Sequence, residues 1–301
     1  MTTTLATTHG EASSAPQWIA DRAPELLPLS QRPTRVELAA GQRTTTLDLA
    51  PLTVPVPGIG RDIQVKVASE RSEWEEAYLL VAQNYRNRGY EPADAKGLRF
   101  TPFHALPDTT TFVAKHAGHV VATLTLVMDN TLLGLPLECI YGPELQALRL
   151  EGRRLGEVTS LADTGLGVRE FLQVFVTMIK LMVHYHVGHG GDTCVITVNP
   201  RHRAFYSKVI GFTPLGPCRS YPCVQDAPAE AYVVDMATMK QNAPKMHDDI
   251  VGETPAPALL TPRPIPAHLV RYFGSNSTQT NLRGVQEILD YVTCYGSPRR
   301  W

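Results

Sequence analysis

Hydrophobic and polar residues alternate regularly from Ile63 onward. The segment IQVKVAS has a period of two, which is typical of a strand. The segment EWEEAYLLVAQNYR follows Ser72, an expected N-cap, and carries apolar residues at helical spacing: Trp74, Tyr78, Val81 and Tyr85. These patterns predict one strand followed by one amphipathic helix.

Further strands and a long helix follow. The runs TTTFVAKHA and HVVATLTLVMD meet at Ala117-Gly118 and predict an antiparallel hairpin. A short helix is predicted to end near Gly152, and RLGEVTSLA reads as a strand. Beyond an expected cap at Thr164 or a neighbouring residue, an apolar stripe predicts a long buried helix: Phe171, Val174, Phe175, Met178, Met182 and Tyr185.

The remaining segments predict a short strand (TCVITV), a short helix (HRAFYSKVI), a turn into a strand at Gly211-Phe212 and a last strand (AEAYVVDM). The tail beyond about residue 240 contains Pro-rich spacers and two helical stretches, IPAHLVRYF and NLRGVQEILDYVTCY. Residues 1 to about 60 are rich in Thr, Ala, Pro and Ser and predict an irregular extension, with one possible hairpin from Val36 to Leu49.

Composition excludes some classes of protein. The chain has 301 residues, 28 Lys+Arg against 29 Asp+Glu and a net charge of -1, so it lacks the field that draws proteins to nucleic acid. The apolar runs Val120–Met128 and Phe171–Val187 are short or interrupted by Lys180, and no transmembrane segment or secretory signal is expected. Five cysteines without a CxxC pair suit reduced thiols, which predicts a cytoplasmic protein.

Local motifs carry a family resemblance. Asn199-Pro200-Arg201-His202, Ala204-Phe205-Tyr206 and Gly211-Phe212 resemble the GNAT acyltransferase pattern. With EVTSLAD, Arg219-Ser220-Tyr221 and Pro228-Ala229, the chain resembles more narrowly the long-chain N-acyl amino acid synthases of the FeeM type, relatives of acyl-homoserine-lactone synthases.

The resemblance implies a mixed α/β protein, with an α+β mixed sheet. The protein is expected to consist of an extension (1–60), a GNAT-like acyltransferase domain (61–240) and a C-terminal Pro-rich segment with helices packed on the core (241–301).

The resemblance also implies transfer of a long-chain fatty acyl group from the phosphopantetheine thioester of acyl carrier protein to the amine of an amino acid. No metal or separate cofactor is expected, because the phosphopantetheine arrives with the carrier protein.

The sequence departs from the GNAT pattern at its phosphate loop. Only Gly165-Leu166-Gly167 remains of it, with Ala162 at the usual position of a basic or amide residue. This weakens an acetyl-CoA interpretation, whereas the single phosphodiester of a carrier protein still suits a reduced anion site at a helix N-terminus. Leu161 stands where the lactone synthases have Arg, which disfavours lactone formation.

Amide formation from a thioester needs a free amine, an oxyanion site and a proton for the leaving thiolate. Glu157 lies within an apolar strand, on the side of Thr159 and Leu161 by period two, and burial would raise its pKa toward that of a base. The alternative is an ion pair with Arg153 or Arg154 on a solvated face.

The resemblance supplies the other catalytic roles. Tyr206 corresponds to the GNAT tyrosine that can protonate the sulfur, the alternative being a core tyrosine beside Phe205. Backbone N–H groups of Ser160 and Leu161 would hold the oxyanion if the strand bulges there.

Binding roles are predicted for a further set of residues. Substrate binding is expected at Thr159, Asn199, Arg201 and Arg219, with Arg219 as a clamp for the acceptor carboxylate. Gly165, Gly167, Arg169, Arg203 and Lys208 are expected to bind the phosphopantetheine or the acidic carrier protein, with Arg153 and Arg154 nearby; the alternative is solvated surface. The spacing of His184, His186 and His189 does not suit a metal site, and Cys194 suits a core residue.

The function that these observations favour is N-acyl amino acid synthesis by direct attack of the amine. The alternatives are a CoA-dependent GNAT N-acetyltransferase and a non-catalytic module that binds an acyl chain or carrier protein.

Overall fold

The computed structural model describes residues 53–277, 279 and 282–301. Within them, nine strands form one mixed sheet in the order β1-β2-β3-β4-β5-β6-β9-β7, with β8 paired to β9. The strands are β1 (Val54–Pro55), β2 (Ile63–Val67), β3 (Thr109–His116), β4 (His119–Met128), β5 (Leu155–Asp163), β6 (Thr193–Val198), β7 (Thr213–Pro214), β8 (Arg219–Tyr221) and β9 (Ala227–Asp235).

The helices of this part of the chain are α1 (Arg71–Asn87), α2 (Glu138–Leu150), α3 (Val168–Gly188), α4 (Arg203–Phe205), α5 (Met236–Asn242), α6 (Pro244–Val251), α7 (Ala267–Ser275) and α8 (Leu282–Tyr295). A π-helical turn, Tyr206–Ile210, continues α4. The mixed α/β fold is confirmed, and the elements predicted from Ile63 to Tyr295 are present. The patterns missed β1, β8, α5 and α6, and the predicted hairpin from Val36 to Leu49 lies outside the described residues.

The two faces of the sheet are covered by different helices. On one face, α3 packs against β2, β3 and β4, and the core there includes Leu124, Leu126 and Met178. On the other face lie α1 and α2, with Val127, Leu137 and other residues in a second core cluster. Because alternate strand residues point to opposite faces, Leu126 and Val127 belong to different clusters. The candidate site described below lies on the α1 and α2 face.

Neither Ser72 nor Thr164 caps its helix. The helix α1 begins at Arg71, so Ser72 lies inside it, and the Glu73 carboxylate accepts a hydrogen bond from the N–H of Glu70 (3.3 Å). Before α3, the Asp163 carboxylate accepts hydrogen bonds from the N–H groups of Gly165 (2.7 Å) and Leu166 (2.8 Å). The Thr164 hydroxyl instead donates to the Val121 carbonyl. In each case an acidic side chain that reaches N–H groups near the helix start replaces the predicted hydroxyl.

Segments after β9 lie against both sides of the sheet. The helix α6 contacts α3, and on the other face Phe273 of α7 packs edge-on against Tyr78 of α1 (ring centroids 5.4 Å apart) and beside Phe100. The division into residues 1–60, 61–240 and 241–301 stays a prediction.

Among the described helices, only α3 is long and apolar enough to cross a membrane. More than half of its apolar window is buried inside the protein. Its apolar residues are explained by packing against the sheet.

Candidate active site

The strands β5 and β6 separate at Glu157. They pair in parallel only from Leu155–Thr193 to Glu157–Val195. Beyond that point β5 continues beside β4, whereas β6 continues beside β9 as far as Val198. An opening therefore forms between two central strands, and Asn199, which ends β6, stands at its edge.

The strand β5 contains a bulge next to this opening. Thr125 pairs with Thr159 and Thr123 pairs with Ala162, so two residues of β5, Ser160 and Leu161, face one residue of β4. Ser160 has a left-handed backbone (φ 57°). The bulge on which the oxyanion prediction depended is therefore present.

The bulge also corrects the predicted side of Leu161. An extra residue shifts the alternation of side chains by one position. Thr159 shares the face of Glu157, but the Leu161 side chain packs against the core on the α3 face. Leu161 can therefore contribute its backbone to the site but not its side chain.

Glu157 is a buried carboxylic acid that no Lys or Arg of the described residues pairs with. Its residue is 2% exposed, and one oxygen accepts a hydrogen bond from the N–H of Leu137 (2.8 Å). Among the described residues no Lys or Arg pairs with it, because Arg153 binds Asp235 (3.0 Å) and Arg154 binds Asp192 (3.1 Å). The solvated ion pair considered for Glu157 is thus excluded in this conformation.

The surroundings of Glu157 shift its proton affinity. Burial raises the pKa of Glu157 well above its ordinary value, and the hydrogen bond from Leu137 only partly offsets this. Cys223 and Glu138 act in the same direction as burial. A carboxyl group in this state can take a proton from an ammonium group more readily than an exposed glutamate can.

Three tyrosines connect Glu157 with the end of β6. The pKa of Tyr221 is raised by burial and by the charge of Glu157, and its hydroxyl donates to the Pro136 carbonyl (3.0 Å). Tyr85 of α1 interacts electrostatically with both Tyr221 and Tyr206. The hydrogen bond to Pro136 places the Tyr221 hydroxyl beside the segment whose Leu137 N–H binds Glu157.

Tyr206 combines the two roles considered for it. Its ring packs edge-on against Phe205 (5.2 Å) and Phe212 (6.1 Å), as a core tyrosine would. Within the described residues its hydroxyl has no hydrogen-bond partner, and burial raises its pKa to about 12. The phenol therefore keeps its proton at neutral pH and remains a possible donor.

Contacts within the protein argue against Arg219 as a carboxylate clamp. Its guanidinium binds Glu144 (3.1 Å) and the Ile140 carbonyl and lies over the Tyr141 ring (4.4 Å from the centroid). These contacts join β8 to α2. The predicted role would require this arrangement to open.

The predicted basic residues fall into two groups. Arg203 pairs with Glu230, and Arg153 and Arg154 are also paired. Arg169, Arg201 and Lys208 form no ion pair with any part of the chain that the structure describes. Arg201 lies beside the opening, and its N–H donates to the Asn199 side chain (3.2 Å).

The glycine loop before α3 is only partly available to an anion. The N–H of Gly165 is bound to Asp163, which also places a carboxylate there. Gly167, Val168, Arg169 and Glu170 line a shallow surface depression with Gly58–Gly60. The contribution expected from Gly165 is therefore not available in this conformation.

The three histidines of the long helix have separate partners. His184 contacts the Ile250 carbonyl, His189 the Tyr185 carbonyl, and His186 lies buried against Met128. No group of three or more possible metal-ligating side chains occurs within the residues that the structure describes. Cys194 is buried in the core, as expected.

Sequence patterns did not single out Tyr85, Arg99 or Tyr221 as residues near the candidate site. The buried Arg99 guanidinium lies over the Tyr85 ring (4.1 Å), pairs with Glu91 and donates to the Cys223 carbonyl (3.4 Å). The helical periodicity assigned Tyr85 only to an apolar stripe, and Arg99 lies in a loop without a pattern.

Comparison with known proteins gives a family match over the part of the chain that contains the candidate site. The family model of the N-acyl amino acid synthase FeeM matches residues 76–235, which include Glu157, the bulge and Tyr206. A search of curated protein sequences finds no match.

Solved structures of acyltransferases are similar to this chain. FeeM, an N-acyl amino acid synthase from uncultured soil microbes, is 28% identical, with a TM-score of 0.52 over 61% of this chain and 96% of that one. The AHL synthase LasI is 16% identical, with a TM-score of 0.45 over 61% of this chain and 98% of that one. An acyl-CoA N-acyltransferase from Pseudomonas aeruginosa is 14% identical, with a TM-score of 0.37 over 58% and 99%.

The family match covers more than half of the chain, and the FeeM structure aligns over nearly its whole length. The fold is therefore the GNAT acyltransferase fold predicted from the motifs, and the enzyme is an N-acyltransferase. The chain belongs to the FeeM family of N-acyl amino acid synthases.

Proposed function

We propose that this enzyme transfers a long-chain fatty acyl group from acyl carrier protein to the amine of an amino acid. The observation that carries the proposal is the buried, cation-free Glu157 at the point where β5 and β6 separate. A buried acid without a cation lowers stability at neutral pH, which is typical of a group retained for chemistry.

In the first step, Glu157 takes a proton from the ammonium group of the acceptor, directly or through a water molecule. The free amine then attacks the thioester carbonyl carbon. Backbone N–H groups of the bulge at Ser160 and Leu161 stabilise the oxyanion. The Leu137 N–H orients the Glu157 carboxylate for the first transfer.

In the second step, the carbon–sulfur bond breaks and the thiolate takes the phenolic proton of Tyr206. The Tyr206 phenol is protonated at neutral pH and has no hydrogen-bond partner within the described residues, so its proton is free for this transfer. The proton that the attacking nitrogen still has to lose returns Tyr206 to its phenol form. The net change from the ammonium form is one amide bond formed and one thioester bond broken, with two protons lost from nitrogen: one ends on the thiol sulfur by way of Tyr206, and the other leaves Glu157 for solvent. The step needs no metal and no separate cofactor.

The donor is proposed to be a carrier protein because the phosphate loop is reduced. Arg169, Arg201 and Lys208, which form no ion pair within the described residues, suit an acidic protein surface. A carrier presents one phosphodiester where CoA presents three phosphates. Thr159 and Asn199 line the route of the substrates. With five free thiols, we place the reaction in the cytoplasm.

The test is synthesis by the purified chain. Wild type and Glu157→Gln are incubated with palmitoyl-carrier protein and a mixture of amino acids, and extracts are searched for masses of a fatty acid plus an amino acid minus water. Wild type is expected to form such amides and Glu157→Gln to form far fewer. The control Glu287→Gln changes an exposed glutamate of α8 in the same way.

Donor competition tests the carrier protein separately. Palmitoyl-carrier protein and palmitoyl-CoA are offered together, and the rate of amide formation from each is measured. A preference for the CoA thioester would contradict the proposed donor, and equal synthesis by wild type and Glu157→Gln would contradict the proposed base.

A further inference from the structure

One peptide group connects Glu157 with a second polar side chain. The carbonyl of Pro136 and the N–H of Leu137 belong to the same planar unit. Its N–H donates to the Glu157 carboxylate (2.8 Å), and its carbonyl accepts a hydrogen bond from the Tyr221 hydroxyl (3.0 Å). Glu157 and Tyr221 are therefore bound to opposite ends of one peptide group.

The chain around this peptide group is held in place. Pro136 restricts the backbone on one side, and Leu137 is fully buried just before α2. The Glu138 carboxylate accepts a hydrogen bond from the Leu135 N–H (3.1 Å) and binds Arg149 (2.8 Å). These contacts fix the turn in which the Leu137 N–H points to Glu157.

The strand β8 is attached to the start of α2 at two points. Arg219 and Tyr221 are two positions apart, so their side chains share one face of the strand. Arg219 binds Glu144 (3.1 Å) and the Ile140 carbonyl, and Tyr221 binds the Pro136 carbonyl. The contacts of Arg219 therefore hold the strand that carries Tyr221 against the segment that binds Glu157.

The peptide group supplies the hydrogen bond that Glu157 receives. Within the sheet Glu157 pairs with Val127 and Val195, whose side chains are apolar. No side chain in the described part of the chain donates a hydrogen bond to the carboxylate, so its orientation depends on the Leu137 N–H.

We propose that Tyr221 is a positioning residue for the acyl transfer, and that it acts on Glu157 through the Pro136-Leu137 peptide. A hydrogen bond accepted by an amide carbonyl polarises the group and strengthens the bond that its N–H donates. Tyr221 thus holds the peptide and strengthens its bond to the carboxylate. The role in catalysis rests on the proposed function, whereas the link between Tyr221 and Glu157 does not.

The ionisation of Glu157 reports the strength of this link. Burial raises the pKa of Glu157, and the hydrogen bond from Leu137 opposes it. A weaker bond from Leu137 would therefore raise the pKa of Glu157 further. The titratable groups that interact with Glu157 come from α2 and from the segment that includes β8: Glu138, Cys139, Tyr221 and Cys223.

The link is tested first by NMR on the full chain. Protein labelled with [1-¹³C]proline and [¹⁵N]leucine gives carbonyl-edited signals from Pro-Leu peptide bonds, of which the chain has four. Leu137→Ile identifies the signal of the Pro136-Leu137 peptide. As pH rises, this signal is expected to shift with the ionisation of Glu157, and Glu157→Gln is expected to abolish the shift.

Tyr221→Phe keeps the ring and removes the donor. The midpoint of the shift is expected to move about half a pH unit or more to higher pH, because the bond from Leu137 to Glu157 weakens. Cys139→Ala is a matched comparison, since the Cys139 thiol donates to the same Pro136 carbonyl (3.4 Å) but is a weak donor. Its shift is expected to be smaller, and an equal shift would overturn the assignment to Tyr221.

The control is a tyrosine of another element. Tyr272 of α7 is half-buried like Tyr221, and its hydroxyl donates to Glu75 (2.8 Å). Tyr272→Phe is expected to leave the midpoint unchanged. A wild-type midpoint in Tyr221→Phe, or an equal shift in Tyr272→Phe, would overturn the link.

A second measurement needs no variant of Tyr221. In protein labelled with [ζ-¹³C]tyrosine, the hydroxyl-bearing carbon of one tyrosine is expected to shift at the Glu157 midpoint in wild type and not in Glu157→Gln. The absence of such a tyrosine would overturn the link even if Tyr221→Phe did not fold.

The pH profile of amide synthesis separates positioning from a merely structural role. After subtraction of the Glu157→Gln profile, the midpoint of kcat/KM in Tyr221→Phe is expected to rise by the same amount as in NMR. Half a pH unit lowers the ionised fraction about threefold at a pH below both midpoints, so kcat/KM should fall about threefold there. An equal loss at every pH, with the midpoint unmoved, would overturn the positioning role.

The two readouts also separate this inference from the proposed function. If wild type makes no amide, the proposed function fails, while the NMR midpoints still decide whether Tyr221 acts on Glu157. If wild type makes amides and Tyr221→Phe changes neither midpoint, the positioning role fails and the proposed function stands.

Discussion

Two buried glutamates on the α1 and α2 side of the sheet differ in what surrounds them. Glu73 of α1 is 1% exposed and Glu157 of β5 is 2% exposed. Glu73 binds Lys66 and Lys115, each at 2.8 Å, and accepts a hydrogen bond from the Ser69 N–H. Glu157 accepts one hydrogen bond from Leu137 and has no cation among the described residues.

The pKa shifts of the two glutamates are opposite. Burial alone would raise the pKa of Glu73, but its hydrogen bonds from Lys115 and Lys66 outweigh burial and lower it. At Glu157 burial is not balanced, and the pKa is raised. The comparison shows that burial alone does not identify a functional carboxylate. The missing counter-charge is what distinguishes Glu157.

The largest expected effect is on catalysis at Glu157. Glu157→Gln keeps the size of the side chain and an acceptor for Leu137, but it cannot take a proton. We expect kcat/KM for amide synthesis to fall about 10²- to 10³-fold. In wild type, kcat/KM should rise with pH through the raised pKa of Glu157.

The Glu157→Gln variant is the control for the pH dependence of kcat/KM. It is needed because deprotonation of the acceptor amine also raises the rate as pH rises. Subtraction of the Glu157→Gln profile isolates the contribution of the carboxyl group. An identical profile in both proteins would remove Glu157 from the role of base.

The next effect concerns stability at Glu73. Glu73→Gln leaves Lys66, which is 8% exposed, with a weaker partner. We expect a loss of about 2 to 4 kcal/mol in the free energy of unfolding, measured by urea denaturation at pH 7. Glu287→Gln, which breaks an exposed pair, should change it by less than about 0.5 kcal/mol. If the free energy of unfolding falls no more for Glu73→Gln than for Glu287→Gln, the two lysines do not make Glu73 a stabilising residue, and the contrast with Glu157 is wrong.

A smaller effect is expected at Tyr206. Tyr206→Phe keeps the packing against Phe205 and Phe212 but removes the proton donor. We expect kcat to fall about tenfold, with the free energy of unfolding nearly unchanged. A thioester with a more acidic leaving thiol should restore much of the rate. A loss of stability without a loss of kcat would assign Tyr206 to the core alone.

The smallest effect is a gain in stability from Glu157→Gln. The folded state holds the Glu157 proton to a higher pH than the unfolded state does, so this group makes the protein less stable as pH rises from about its ordinary pKa of 4.5 through the raised value. At pH 7 the variant should be about 1 kcal/mol more stable than wild type. The difference should vanish near pH 4. A destabilised variant at pH 7 would indicate a structural carboxylate.

Local periodicity was sufficient for the elements of the core. The alternation in β4 and the apolar stripe of α3 predicted a central strand and a buried helix, because side-chain burial repeats with the geometry of each element. Short elements such as β8 and α5 were not predicted, because a segment of so few residues cannot show a periodic pattern. The hydroxyls of Ser72 and Thr164 do not cap their helices, and the carboxylates of Glu73 and Asp163 instead bind N–H groups near the two helix starts.

The sequence by itself determined the family motifs, the order of strands and helices along the chain, and Glu157 as a carboxyl group in an apolar strand. Only the tertiary structure decided that no described Lys or Arg pairs with Glu157, that Leu161 turns away from it, and that Arg219 is bound to Glu144. The physical reason is that periodicity reports local geometry, whereas ion pairs depend on which distant segments the sheet brings together.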